Sequence, residues 1–245
     1  MIRLLAILLL LSLNFAAHAA GDGDKDQIRA KIKQISPKAE ISSIEKSPIA
    51  GLYQVMLDGA DILYVSADGQ HFLNGHMYTH KNGDLVDLTE QDLSVGRGDK
   101  LKAVPEKGMI VYSPKGKVKS VVYAFTDVDC GFCKRFHQEV PALNELGVEV
   151  RYLAWPRSGL DAKSVTYQKM QKVWCSDDRQ TALTETKLNN KVPTNVAVCD
   201  TPIPEHFKLG FQLGVKGTPA LFTEDGRQVG GFRKANELAQ ELGVL

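Results

Sequence analysis

The feature that most constrains the fold of this chain is a pair of cysteines at the point where a strand pattern changes into a helical one. Residues 118–125 are rich in β-branched and aromatic residues, which predicts a buried strand. The sequence Cys130-Gly131-Phe132-Cys133 follows, and apolar residues then recur at helical spacing, at Phe136, Val140 and Leu143. This order predicts an α/β unit in which Cys130 lies in the first turn of an amphipathic helix.

The rest of the carboxyl-terminal half alternates between the same two patterns. Strands are predicted at 148–153, 220–223 and 228–230, and helices at 162–174, 179–187 and 236–242. Asn236 is the predicted cap of the last helix. The lysines from Lys163 to Lys172 indicate a solvated helix face.

The amino-terminal half predicts a small α+β unit over residues 20–87. A helical stripe comes first, formed by Ile28, Ile32 and Ile35. Two strands are predicted, at 52–57 and 62–65. Two turns that require positive φ at both residues follow, at Asp68-Gly69 and Asn82-Gly83. So small a core is marginal alone. It would gain buried surface by pairing with a second copy or by packing against the larger unit.

Residues 88–107 are predicted to be a connector between the two units. The segment is charged, and Gly96-Arg97-Gly98 is expected to interrupt any helix there. Pro105 and Gly108 close it. The larger domain is then expected to span residues 108–245.

The first 19 residues have the pattern of a cleavable signal peptide. Arg3 is followed by an apolar run from Leu4 to Leu13 and by Ala17-His18-Ala19. The run is shorter than the roughly 20 residues that a membrane span needs, so the mature chain is expected to begin near Ala20. Export would place the four cysteines where disulfides persist. The net charge of +1 argues against a nucleic-acid partner and a polybasic membrane patch.

The position of the first cysteine pair predicts thiol–disulfide chemistry. Free N–H groups and the positive end of the helix dipole favour the thiolate of Cys130. We expect its sulfur to be exposed and to attack a substrate disulfide. Cys133, one turn later, is expected to point inward and to resolve the mixed disulfide.

Three other uses of a Cys-x-x-Cys pair are less well supported. Covalent haem attachment requires a histidine where this chain has Lys134. A structural zinc site needs a second close pair of ligands, and Cys175 and Cys199 are too far apart in sequence to form one. His137 could be a third ligand, but it fits better as a surface residue or as a neighbour that tunes the thiolate. An inert structural disulfide would be strained by the two-residue loop. No metal or cofactor is expected.

A second candidate element is Gly217-Thr218-Pro219, which precedes the strand at 220–223. The bond before a proline adopts the cis form at little cost. A cis bond here would turn the backbone of Thr218 outward, so that it could pair with a bound extended peptide. An ordinary turn is the alternative, and the nearby cysteine motif favours the binding role.

Together these elements resemble the DsbC family of bacterial disulfide isomerases. The matching segments, in order, are 62–65, Asp68-Gly69, 75–78, 109–112, 125–127, 130–133, 151–154, Trp174-Cys175 and 212–220. The resemblance covers nearly the whole mature chain. It implies a thioredoxin-like catalytic domain and a small cystatin-like domain that joins two chains into a V-shaped homodimer. It also implies a periplasmic location, isomerase and chaperone activity on misfolded proteins, and reduction by the membrane protein DsbD.

The resemblance further implies that Cys175 and Cys199 form a second, structural disulfide. The chain departs from the family at Phe132, where tyrosine is commonest, and in its connector, which is longer and richer in glycine than the helical linker typical of the family. The effect of Phe132 is expected to be modest. The change in the connector leaves its rigidity open.

Charged residues near the motif are candidates for tuning the thiolate. Asp127 and Arg157 would shift the ionisation of Cys130 in opposite directions if both approach it, and a solvated surface pair is the alternative. Two further functions compete with an isomerase or reductase, namely a disulfide-donating oxidase and a holdase chaperone. The separate amino-terminal domain argues against the oxidase, and the spacing of the cysteine pair argues that chemistry is present.

Overall fold

A computed structural model describes residues 22–59 and 61–245. The predicted signal peptide therefore lies outside the described residues. The helices are α1 (Asp22–Ile35), α2 (Leu88–Lys102), α3 (Gly131–Glu145), α4 (Val165–Trp174), α5 (Arg179–Asn189), α6 (Ile203–Gln212) and α7 (Ala235–Glu241). The strands are β1 (Ile41–Lys46), β2 (Leu52–Leu57), β3 (Asp61–Ser66), β4 (Phe72–Asn74), β5 (Tyr78–Lys81), β6 (Asp84–Asp87), β7 (Ile110–Tyr112), β8 (Ser120–Thr126), β9 (Val148–Ala154), β10 (Ala220–Thr223) and β11 (Gln228–Gly230). None of the described helices is long and apolar enough to cross a membrane.

The amino-terminal part is an antiparallel sheet covered by α1. The strand order is β1-β2-β3-β4, and β5 and β6 form a separate hairpin. Ile28 and Ile32 of α1 are buried in the core beneath the sheet, whereas Ile35 is 69% exposed, so the predicted stripe is shorter by one residue. Asn82 and Gly83 both have positive φ, as predicted for their turn.

The turn at Asp68-Gly69 was predicted incorrectly in one detail. Only Gly69 has positive φ, at 65°. The carboxylate of Asp68 accepts a hydrogen bond from the backbone N–H of Gln70 at 3.0 Å. This local bond holds a longer loop between β3 and β4, in which Asp68 keeps an ordinary backbone conformation.

The connector was also predicted incorrectly, because Gly96-Arg97-Gly98 lies inside the continuous helix α2. Asp87 caps this helix by accepting a hydrogen bond from the N–H of Glu90 at 2.9 Å. A Cβ atom on Gly98 would lie 2.7 Å from the carbonyl oxygen of Asp225, so the glycine allows α2 to approach the loop between β10 and β11. Each glycine costs the helix about 1 kcal/mol, and tertiary packing offsets that cost.

Helix α2 is buried against both halves of the chain. Leu93 packs with Ile62 and Tyr64 of β3. Near the other end of the helix, Leu101 is fully buried in a core that also contains Phe222 of β10. The segment between the two sheets is therefore a packed helix that contacts each of them.

The carboxyl-terminal part is a five-stranded sheet with helices on both faces. The strand order is β11-β10-β8-β9-β7, and β8 and β9 are parallel while the other pairs are antiparallel. Alternate residues of β8 enter different cores. Val122 and Ala124 face α3, α4, α5 and α7, whereas Tyr123 and Phe125 face α6 and the end of α2. The sheet thus holds the end of β8, and the cysteine pair that follows it, between two buried layers.

Most of the predicted elements of this half are present, with shifted ends. Strand β8 begins at Ser120, and α4 begins at Val165 with Ser164 as its cap. The cap of α7 is Lys234, so the prediction that Asn236 caps this helix was wrong. Helix α6 was not predicted. Pro204 lies in the first turn of α6. Proline is tolerated there because the N–H that it lacks would be unpaired in any case.

Candidate active site

Cys130 is the cap residue of α3. Strand β8 ends at Thr126, three residues separate it from Cys130, and the cysteine has extended backbone geometry, with φ −84° and ψ 120°. Its sulfur accepts a hydrogen bond from the backbone N–H of Cys133 at 3.4 Å. The sulfur therefore occupies the position in which a side chain satisfies the free N–H groups of a helix start.

These surroundings lower the pKa of Cys130 to about 5. The side chain of Cys133 makes the largest contribution by hydrogen bonding, and the contact with Thr218, the N–H of Cys133 and the charge of Arg157 act in the same direction, against the effect of burial. The Cys130 sulfur is therefore a thiolate at neutral pH. A thiolate is the nucleophilic form of cysteine.

The expectation that the Cys130 sulfur is exposed was wrong, because the residue is only 4% exposed. The loop before β10 covers it. The peptide bond between Thr218 and Pro219 is cis, and the carbonyl oxygen of Thr218 lies 3.2 Å from the Cys130 sulfur. The exposed side chain of the motif is that of Phe132, which is 56% exposed. The guanidinium of Arg135 lies 5.4 Å from the centre of the Phe132 ring.

Cys133 is fully buried, and its thiol is free like that of Cys130. Burial raises its pKa well above the ordinary range, and so does the hydrogen bond with Cys130. The largest opposing effect is the charge of Lys187, followed by hydrogen bonds with the backbone of Asp127 and the side chain of Thr126. The two sulfurs of one motif therefore differ in charge, because one lies at the start of the helix and the other lies in the core.

Asp127 and Arg157 do approach the cysteine pair. The carboxylate of Asp127 is buried and accepts hydrogen bonds from the N–H of Asp129 at 2.7 Å and from Nε of Arg157 at 3.2 Å. Arg157 is half exposed, and its charge lowers the pKa of Cys130. The alternative of a solvated pair is therefore wrong for the carboxylate, which lies inside the protein.

His137 is a buried residue, so its interpretation as a surface side chain was wrong. It is 3% exposed, and its ring nitrogens lie 2.9 Å from the hydroxyl of Tyr152 and 3.0 Å from that of Thr184. Burial and the charge of Lys187 lower its pKa to about 3. The ring is therefore neutral at pH 7 and supplies no positive charge to the thiolate. Within the described residues no group of three or more potential metal ligands occurs.

Lys187 is the site residue that the sequence reasoning missed. It lies on α5, is 3% exposed, and its Nζ donates a hydrogen bond to the carbonyl oxygen of Asp127 at 2.9 Å. The available signal was its spacing, because Lys187 follows the buried Leu183 by four residues and so lies on the same helix face. A lysine on a buried face is an exception that invites a functional explanation.

The other two cysteines lie apart from this pair. Cys175, at the end of α4, forms a disulfide with Cys199 in the segment before α6, with Cα atoms 5.6 Å apart. The bond ties the segment that leads into α6 to the end of α4. It therefore has a position suited to structural support of the domain.

Three features occur together here, namely a reactive cysteine at the start of a helix, a cis-proline loop opposite it, and this mixed five-stranded sheet. Together they define the class of thioredoxin-like thiol–disulfide exchange proteins. Comparison with known families supports that class. Residues 105–244 match the thioredoxin-like domain, and residues 16–90 match the amino-terminal domain of disulfide bond isomerase proteins. The chain belongs to the DsbC family of thiol:disulfide interchange proteins. This confirms the predicted family, the predicted fold class and the prediction of an enzyme that exchanges disulfides.

Individual relatives agree with this assignment. The chain is 36% identical over 230 residues to the thiol:disulfide interchange protein DsbC of Escherichia coli K12, and the aligned region covers 93% of each chain. It is also 36% identical over 229 residues to DsbC of Haemophilus influenzae, again covering 93% of each. The crystal structure of a disulfide interchange protein from Neisseria gonorrhoeae superposes with a TM-score of 0.50 at 31% identity, covering 57% of this chain and 96% of that one.

Proposed function

We propose that this enzyme rearranges wrong disulfides in exported proteins, with Cys130 as the nucleophile and Cys133 as the resolving thiol. The observation that carries the proposal is the split between the two sulfurs, since the pKa of Cys130 is lowered to about 5 and that of Cys133 is raised. The first is ready to attack, and the second stays protonated until a mixed disulfide has formed.

The chemistry then has two branches. The Cys130 thiolate attacks one sulfur of a client disulfide, a bond forms between them, and the other client sulfur leaves as a thiolate. In isomerisation, a client thiolate attacks the client sulfur of the mixed disulfide and restores the Cys130 thiolate with no net transfer of electrons. In reduction, Cys133 loses its proton to solvent and attacks Cys130, so that the client leaves with two electrons and the enzyme becomes a disulfide. A DsbD-like membrane reductant would return those two electrons.

The client backbone is proposed to pair with Gly217, Thr218 and Pro219. The cis bond presents the carbonyl of Thr218 to the Cys130 sulfur, and no side chain intervenes between them. The hydroxyl of Thr218 is buried and has no hydrogen-bond partner among the described residues. An extended client segment at this loop would place its own sulfur next to Cys130.

The amino-terminal unit, residues 20–87, is proposed to join two chains into a homodimer. An isolated hairpin is marginally stable in water, and the β5–β6 hairpin exposes apolar side chains. Tyr78 and Leu85 are 51% and 71% exposed, and Leu73 on strand β4, which precedes the hairpin in sequence, is 58% exposed. Sedimentation equilibrium of the mature protein tests this proposal. A monomer at every concentration would contradict it.

Export to the periplasm through a signal peptide cleaved near Ala20 is part of the same proposal. Intact mass measurement of the protein recovered from the periplasm should give a chain that begins there. A full-length mass, or recovery only from the cytoplasm, would contradict it.

The catalytic assignment is tested by replacing both Cys130 and Cys133 with alanine. The double variant should lose reactivation of scrambled ribonuclease and reduction of insulin. If it still suppresses aggregation of an unfolded client, a holdase activity exists beside the redox chemistry. Replacing Cys175 and Cys199 with alanine is the matched control, since it also removes two cysteines but should retain both redox activities. Retained redox activity in the Cys130/Cys133 variant would overturn the assignment.

A further inference from the structure

Lys187 is a buried lysine beside the reactive cysteine pair, and the exchange steps above do not use it. Among the described residues, its Nζ bonds to the carbonyl of Asp127, in the loop between β8 and α3, and the same carbonyl accepts a hydrogen bond from the backbone N–H of Cys130 at 3.3 Å. Burying an ammonium group costs several kcal/mol unless opposite charge compensates it. Such a residue is retained only where its surroundings supply negative charge.

The ionisable groups around Lys187 come from two parts of the chain. Helix α3 and its cap contribute Cys130, Cys133 and His137, of which His137 is neutral. The loop before the helix contributes Asp127 and Asp129. Burial lowers the pKa of Lys187, and Cys133 is the largest of the effects that raise it. The carboxylate of Asp127 is bonded to Arg157, and that of Asp129 is bonded to Lys169 at 2.7 Å. Of the nearby groups that carry or can acquire a negative charge, the two sulfurs are thus the ones that lack another cationic side chain in direct contact.

We propose that Lys187 is a positioning residue whose ammonium group stabilises the Cys133 thiolate in the step that resolves a mixed disulfide. This rests on the proposed roles of Cys130 and Cys133. In the reduced enzyme, the negative sulfur near Lys187 is Cys130. Once Cys130 is bonded to a client sulfur, its charge is gone and the buried ammonium has lost this partner. Ionisation of Cys133 then restores a negative charge beside Lys187.

The reaction that Lys187 assists is balanced without any further reagent. The Cys133 thiol gives its proton to solvent, and its thiolate attacks Cys130 in the mixed disulfide. The Cys130–Cys133 bond forms as the Cys130–client bond breaks, and the client leaves as a thiolate. The two electrons that reduce the client sulfur come from Cys133 and Cys130. Lys187 stays charged throughout and changes only how readily Cys133 ionises.

The consequence is selective for one branch of the chemistry. Isomerisation can proceed with Cys130 alone, whereas reduction needs the Cys133 thiolate. Lys187 therefore sets how long a mixed disulfide lasts before Cys133 ends it. The buried cation on α5 thus biases the enzyme toward reduction.

The test replaces Lys187 with methionine, which keeps the length of the side chain and removes its charge. Stopped-flow kinetics would separate attack by Cys130 on a disulfide substrate from resolution by Cys133, over a range of pH. The thiolate fraction of Cys133 should fall by about tenfold for each pKa unit that the cation supplies. A thiolate of higher pKa is more nucleophilic, so the resolution step should slow by about threefold to fourfold per unit, and its pH profile should move to higher pH. Insulin reduction should fall more than reactivation of scrambled ribonuclease.

Two variants control for charge and for folding. Lys187→Arg retains the charge and should restore much of the resolution rate. Lys191→Met removes a lysine that is 75% exposed and pairs with Glu185 at the surface, so it should change neither step. If Lys187→Met leaves the resolution step and its pH profile unchanged, the proposal is wrong. If it slows both steps equally while Lys187→Arg gives no rescue, Lys187 is a structural residue only and the proposal is again wrong.

A measurement on the native lysine does not depend on how its variants fold. In the reduced enzyme with both cysteines present, NMR of lysine Nζ should show Lys187 charged at pH 7. A neutral amine there would overturn the proposal. A Cys130→Ser variant that still forms mixed disulfides would instead overturn the proposed nucleophile, so the two failures are distinguishable.

Discussion

Replacing Glu90 with alanine should weaken the docking of α2 onto the carboxyl-terminal sheet. The carboxylate of Glu90 accepts two hydrogen bonds from Nη1 of Arg97, at 2.8 and 2.9 Å, and one from the backbone N–H of Gln228 at 2.6 Å. The side chain of Arg97 is only 4% exposed, and its guanidinium lies 5.7 Å from the ring centre of Phe222. Without Glu90, a buried guanidinium and an N–H at the start of β11 lose their acceptor together.

The magnitude follows from that geometry. Removing one partner of a buried ion pair costs about 3–5 kcal/mol. The side chain of Glu90 is 15% exposed, so water can partly replace the carboxylate, and we expect a loss of about 3 kcal/mol, at the lower end of that range. Glu185→Ala is the matched control in the same part of the chain. Its carboxylate pairs with Lys191 at 3.5 Å on the surface, and such pairs contribute about 1 kcal/mol or less.

Urea unfolding followed by tryptophan fluorescence measures this loss in the relevant part of the chain. Both tryptophans of the chain, Trp155 and Trp174, lie in the carboxyl-terminal part, so their emission reports the unfolding of that part. The protein concentration is held constant because association adds to apparent stability. A change no larger than that of Glu185→Ala would refute the reasoning, since the buried pair would then behave like a surface pair.

Three further predictions concern the cysteines. First, absorbance of the reduced enzyme at 240 nm should rise with a midpoint near pH 5, because the pKa of Cys130 is lowered to about 5. The stability that the ionised sulfur adds to the reduced fold is therefore fully present above the ordinary thiol pKa of about 8.5. It is lost as pH falls through about 5 in urea titrations, and Cys130→Ala should lack this dependence. Second, Arg157→Ala should raise the pKa of Cys130 in the same absorbance titration, because a nearby positive charge is removed, whereas Lys172→Ala should not. Third, replacing Cys175 and Cys199 with serine should lower the free energy of unfolding by about 3 kcal/mol, because the unfolded chain gains conformational entropy when the loop between them is no longer closed.

Each of these predictions has a clear contrary result. A thiolate midpoint near 8 would show that the helix start and the Thr218 loop do not act on Cys130. An unchanged midpoint in Arg157→Ala would mean that Asp127 neutralises the arginine charge, so that this charge does not affect the pKa of Cys130. A loss below about 1 kcal/mol for the double serine variant would show that the disulfide constrains little of the unfolded chain.

The elements around the cysteine pair were predictable because their signals are local. The run before Cys130 and the stripe of Phe136, Val140 and Leu143 depend only on which face of β8 and α3 enters the core. The burial of the Cys130 sulfur was not predictable in the same way. It depends on Thr218, which is 88 residues away in sequence. Whether the loop covers the sulfur is decided by the sheet, where β10 pairs with β8.

Helix α2 and Lys187 were also not predictable from local sequence patterns. Local propensity is a weak guide where tertiary contacts are strong, and Gly98 of α2 permits close packing with the loop between β10 and β11. The periodicity of α5 places Lys187 on a buried face, but the usual behaviour of lysine argues against that position. In both of these cases a distant part of the chain determines the environment of the residue.

The contacts of α2 also connect the amino-terminal sheet to the substrate loop. Leu93 of α2 packs against β3, and Arg97, one turn later, lies over Phe222 of β10. Strand β10 begins at Ala220, directly after the cis peptide bond whose carbonyl contacts Cys130. The helix that positions the amino-terminal unit thus packs on the strand that presents the binding loop. Because packed cores resist continuous deformation, the orientation of that unit is fixed relative to the loop by side chains that take no part in the chemistry.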